Sequence, residues 1–102
     1  MIAVNNISIT LSTEDSKSKA VLDFSPISSI DDGDSIYLLV KGESVELATT
    51  TTTSLSKWLD WIVASFNMLP NTTTVLSKDS SNLVVLGANT DDLDINLDLG
   101  SS

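Results

Sequence analysis

Between Ile7 and Ser12, apolar Ile7, Ile9 and Leu11 alternate with Ser8, Thr10 and Ser12. A period of two is that of a pleated strand, whose successive side chains point to opposite faces, so this segment predicts a half-buried strand. Ile2 and Val4 fall in the opposite phase, which places a bulge or bend at Asn5-Asn6. Ser12 to Lys19 is polar throughout and predicts an exposed loop. Alternation returns at Ala20, Leu22 and Phe24 as a second strand, closed by Ser25-Pro26.

Asp31-Asp32-Gly33-Asp34 predicts a turn, and Ile36 to Val40 is an almost unbroken apolar run. Such a run suits a central strand buried on both faces. Gly42-Glu43 fits the Gly-X preference of a tight hairpin turn, with Val45 and Leu47 alternating on the return strand. Thr49 to Thr53 is a run of β-branched residues that resists helix and favours extended chain.

A helix is expected over 54–69, capped by Ser54 and stopped before Pro70. Leu55, Trp58, Leu59, Ile62, Phe66 and Leu69 share one stripe at helical spacing and should face the core. Lys57 and Asp60 share the polar face with Ser56, Ala64 and Asn67. Trp61 and Met68 form a second apolar flank beside the main stripe. A small domain has little to cover that flank, and Trp and Met are favoured at interfaces, so Trp61 and Met68 are the candidate interface residues.

After Pro70, Thr72 to Leu76 predicts a strand, Ser77 to Asn82 a polar turn, and Leu83 to Leu86 a buried strand ending at Gly87. At the C-terminus Leu93, Ile95, Leu97 and Leu99 alternate with Asp92, Asp94, Asn96 and Asp98, before a fraying Gly100-Ser101-Ser102. The order is β-β-β-β-α-β-β-β. Short connections and hairpin signals predict α+β: a mainly antiparallel sheet of about seven short strands, with the helix packed on one face. The chain, 1–102, has the length of a single domain.

Composition narrows the chemistry. The sequence contains no Cys, His or Arg, which excludes disulfides, ordinary zinc sites, imidazole-based triads and arginine fingers. Fourteen carboxylates face five lysines, a net charge of −9 that opposes direct binding to nucleic acid or anionic membranes. No signal-type leader or membrane-length apolar window is found, so synthesis in the cytoplasm, with or without assembly into a particle, is expected.

Three local patterns invite a chemical reading. Ser54-Leu55-Ser56-Lys57 matches the Ser-x-x-Lys spacing of serine acyl-enzymes, but the companion Ser-Asp-Asn and Lys-Thr-Gly elements are missing. A helix cap accounts for Ser54 better. Asp31, Asp32 and Asp34 around Gly33 offer oxygen ligands for a hard cation, yet the acids are adjacent and no Glu follows at the calcium-loop distance. Asp92, Asp94 and Asp98 should share one strand face, an acidic surface for a cation or a basic partner.

These readings favour a non-enzymatic structural or interaction protein that binds a protein partner or itself, with no catalytic residues and no cofactor or metal. A small subunit of a larger assembly, such as a decoration, adaptor or tail component of a viral particle, fits that class. The alternative is an acidic inhibitor occupying the basic groove of a nucleic-acid-binding enzyme. A carboxylate-pair hydrolase needs two acids set in a cleft, which nothing in the sequence provides.

Overall fold

The computed structural model describes residues 7–27, 30, 33–40, 43–47, 54–68 and 74–100, with 43–47 and 99–100 described by their backbone. The expected features at Asn5-Asn6, Asp31-Asp32, Gly42, Thr49 to Thr53, Leu69-Pro70 and Ser101-Ser102 lie outside these residues.

The fold is α+β, with every described strand pairing antiparallel. Strands β1 (Ser8–Glu14), β2 (Lys17–Asp23), β5 (Val75–Asp79) and β6 (Asn82–Leu86) form one sheet in the order β1-β2-β6-β5. Strands β3 (Ser35–Val40), β4 (Glu43–Leu47) and β7 (Asn96–Gly100) form another in the order β4-β3-β7. The expectation of one sheet is therefore corrected to two. Ala20, Leu22, Leu76, Leu83 and Val85 of the first sheet and Ile36, Leu38 and Val40 of the second are buried in one shared cluster. Two half-buried sheets that seal each other's apolar faces produce the same alternation along the chain as one sheet covered by a helix.

The expected loop at Ser12 to Lys19 is instead a tight hairpin. Glu14 pairs with Lys17, and the connecting Asp15 and Ser16 have φ of 52° and 60°. Two left-handed central residues make a type I′ turn, whose twist matches that of the flanking strands. β1 is exposed at every residue, so the half-buried pattern expected of it is also corrected. Its polar stretch reads as loop because an edge strand open on both faces needs no apolar alternation.

β3 is the central strand of its sheet, but only one face is closed. Ile36, Leu38 and Val40 are buried, whereas Tyr37 is exposed and Leu39 half-buried. Val40 pairs with Glu43, so Glu43 belongs to the return strand rather than to the turn.

Helix α1 spans Leu55–Asn67. Ser54, in extended geometry, accepts a hydrogen bond from the Lys57 backbone N–H at 3.4 Å and so caps it. Trp58, Leu59, Ile62 and Phe66 are fully buried and Leu55 packs partly against them; Leu69 is outside the described residues. The helix contacts β5 at the edge of the first sheet and β4 of the second, rather than covering one face of a single sheet. Trp58 Nε1–H is buried and has no hydrogen-bond partner among the described residues.

Candidate functional site

Helical spacing divides α1 into three faces. Leu55, Trp58, Leu59, Ile62 and Phe66 enter the core. Ser56, Asp60 and Asn67 turn towards β5. Lys78 Nζ donates to Ser56 Oγ at 2.8 Å and to the Ser56 carbonyl at 3.4 Å, and lies 2.8 Å from Asp60 Oδ1. Near the other end, Asn67 Nδ2 donates to the Leu76 carbonyl at 2.8 Å and Asn67 Oδ1 accepts from the Leu76 N–H at 3.1 Å. A carboxamide has the donor and acceptor of a peptide unit, so Asn67 closes the β5 edge there as a neighbouring strand would.

The third face stays open. Lys57, Trp61, Ala64 and Met68 lie within one exposed stripe, with Trp61 45% and Met68 83% exposed. The two expected interface residues thus stand together on the helix flank. Trp58, one turn away, belongs to the core. The stripe's only charge is Lys57.

The acidic triad is not assembled as a strand face. β7 begins at Asn96, so only Asp98 lies on it, while Asp92 and Asp94 belong to the preceding segment. Asp92 Oδ1 accepts from the Asp94 N–H at 3.0 Å, and Asp94 has φ 48°. Such an Asx turn bends the chain where extended alternation was expected. All three carboxylates are exposed. Asp34 is buried beside Gly33, which has φ 95°. No group of His, Cys, Asp or Glu among the described residues is placed to hold a metal ion.

The Ser-x-x-Lys pattern places Ser54 at the cap through its hydroxyl oxygen, the role expected of it. A pocket of about 150 Å³ is lined by Leu11, Ser12, Ser18, Lys19, Asp92 and Leu93. That is below the ~300–1,000 Å³ usual for small-molecule sites. It opens where the segment after β6 folds back on β2: the Gly87 N–H donates to the Ser18 carbonyl at 2.8 Å, and the Ser18 N–H donates to Asn89 O at 2.7 Å. A Cβ at Gly87 would sit 3.0 Å from Leu93 Cδ2, so a larger residue there needs the Leu93 side chain to shift by a few tenths of an ångström.

The alternation from Ile7 to Ser12 marked most of β1 as a strand, but sequence reasoning missed its last residues, Thr13 and Glu14, and its place at the edge of a sheet, uncovered among the described residues. No helix of the described residues is long and apolar enough to cross a membrane. Compared with protein-family models, curated proteins and solved structures, the chain matches none.

Proposed function

We propose that this chain is a non-enzymatic interaction protein, a small subunit that docks onto a larger assembly through the open flank of α1. The observation that carries this reading is the exposed Trp61–Met68 stripe on a helix whose other faces are occupied by core and β5. A large aromatic beside a flexible thioether gives much contact area for little polar desolvation. The absence of Cys, His and Arg from the sequence supports a role without catalysis. A viral particle, with this chain as decoration, adaptor or tail component, is the kind of assembly we have in mind.

The experiment compares Trp61→Ala with Phe66→Ala in thermal unfolding and in recovery of the native partner. Trp61→Ala should abolish partner recovery while lowering stability much less than Phe66→Ala, whose cavity should cost about 3–5 kcal/mol. Equal destabilisation by both, with partner recovery unchanged, overturns the reading. The inhibitor alternative has a different signature. A basic nuclease or polymerase would co-purify, its binding would weaken steeply with salt, and Asp92, Asp94 and Asp98 would matter more than Trp61.

A further inference from the structure

We propose that the free edge of β1 pairs with β1 of a second copy of this chain, antiparallel about a two-fold axis at Leu11. β1 and β5 are the edges of the first sheet. β5 is closed at Leu76 by Asn67, whereas β1 has no such cover among the described residues. β1 is seven residues long, holds unbroken register with β2 from Ser8↔Asp23 to Glu14↔Lys17, and contains no Lys, Pro or bulge. Those are the devices by which sheet edges ordinarily avoid further pairing.

The direction of its backbone groups follows from β2. The N–H and C=O of Ser18 both bond to the segment after β6, away from β1. Residues directly opposite in an antiparallel ladder share one bonding class, so Thr13, opposite Ser18, aims its own N–H and C=O away from β2. By alternation, Leu11 and Ile9 do the same. Their side chains lie on the face that carries Ala20 and Leu22, yet Leu11 is 66% and Ile9 40% exposed.

A two-fold axis at Leu11 satisfies all of these groups at once. Leu11 exchanges both hydrogen bonds with Leu11 of the second copy, and Ile9 exchanges both with Thr13 of the second copy. The two Leu11 side chains meet across the axis, each Ile9 beside a Thr13, and the two four-stranded sheets become continuous. Isologous contact of this kind closes at two copies.

Charge opposes a second copy least at this edge. The chain carries −9, but hairpin residues 8–23 hold only Glu14, Asp15 and Asp23 against Lys17 and Lys19. Glu14 lies 3.5 Å from Lys19 Nζ, and the two-fold register sets Glu14 opposite Ser8, so no like charges face each other. Two acidic bodies repel least when joined at this nearly neutral edge. The proposal uses β1 alone and is independent of the helix flank.

The test is sedimentation of the purified chain from micromolar to millimolar concentration, with amide hydrogen exchange followed by residue. A monomer–dimer equilibrium is expected, in which the Ile9, Leu11 and Thr13 amides slow by ~10-fold or more as dimer forms. Thr10 and Ser12, bonded within the hairpin, should be protected in both states. Leu11→Pro removes an N–H that β2 does not use, so the monomer should stay folded while the dimer is lost. Should that variant fail to fold, Leu11→Lys sets two ammonium groups face to face and should also abolish the dimer. Trp61→Ala should leave it intact. A chain that stays monomeric at millimolar concentration overturns the proposal. So does a dimer whose Ile9, Leu11 and Thr13 amides exchange freely, or protection of those amides in the monomer.

Discussion

Asn67 makes two hydrogen bonds with one residue of β5, donating to the Leu76 carbonyl and accepting from the Leu76 N–H, and Leu76 is buried. Removing the carboxamide leaves a donor and an acceptor without partners, so Asn67→Ala should cost about 1–3 kcal/mol in urea unfolding. Asn67→Asp should not rescue it. A carboxylate can accept from the Leu76 N–H but has nothing to donate to the Leu76 carbonyl, and its charge faces that oxygen. Loss below ~0.5 kcal/mol in Asn67→Ala, the ordinary scatter of surface changes, defeats the argument. Nothing in the sequence distinguished Asn67 from the other polar helix positions, because its role depends on a strand that arrives eight residues later. Trp58, Leu59, Ile62 and Phe66 were legible, since helical spacing alone assigns them to one side.

At the scale of elements, the β1–β2 hairpin offers the sharpest prediction. Ser16 sits at φ 60°, a conformation that costs a residue bearing Cβ roughly 1–2 kcal/mol. Glycine avoids that cost but loses about 0.5–1 kcal/mol to greater freedom in the unfolded chain. The first term is larger, so Ser16→Gly should stabilise the protein by about 0.5–1 kcal/mol and raise its melting temperature. An unchanged or lower melting temperature contradicts the turn assignment. The sequence concealed this hairpin because its turn is Asp-Ser rather than the usual Asn-Gly, and because Ser12 to Lys19, which holds the turn and the adjoining ends of both strands, is polar throughout. The β3–β4 hairpin was legible from its apolar run, although one open face was mistaken for a buried one. The C-terminal alternation was over-read: Asp94 leaves extended geometry, so the side chains of Asp92 and Asp98 do not share a strand. Periodicity records which side of an element is apolar, and a single left-handed residue erases its meaning without changing the pattern.

For the whole molecule, the class α+β was legible, but the division into two sheets was not, since alternation assigns faces and leaves the choice of neighbours open. Net charge acts at this scale and leads to the last prediction. The chain carries −9, with most of that charge outside the β1–β2 hairpin. Folding brings these carboxylates closer together than they are in the expanded chain, so self-repulsion opposes the compact state. The exposed ion pairs Lys78–Asp60 and Lys19–Glu14 act in the other direction, but each contributes only about 0–1 kcal/mol and is itself screened by salt. Raising salt from ~0.01 M to ~1 M shortens the screening length from about 30 Å to about 3 Å, which removes the long-range repulsion while close contacts lose less. Sodium chloride should therefore raise the melting temperature; a gain of ~1 kcal/mol corresponds to about 4–8 °C in a domain of this size. The rise should be steepest at low salt, where screening changes fastest, and should flatten once the length falls below the spacing of neighbouring carboxylates. Replacing chloride by sulfate at equal ionic strength separates screening from the general stabilisation by excluded salts, because only the latter differs between the two. A melting temperature that falls steadily with sodium chloride would mean that specific ion pairs outweigh the net charge, and that the acidic surface is arranged far more favourably than its composition implies.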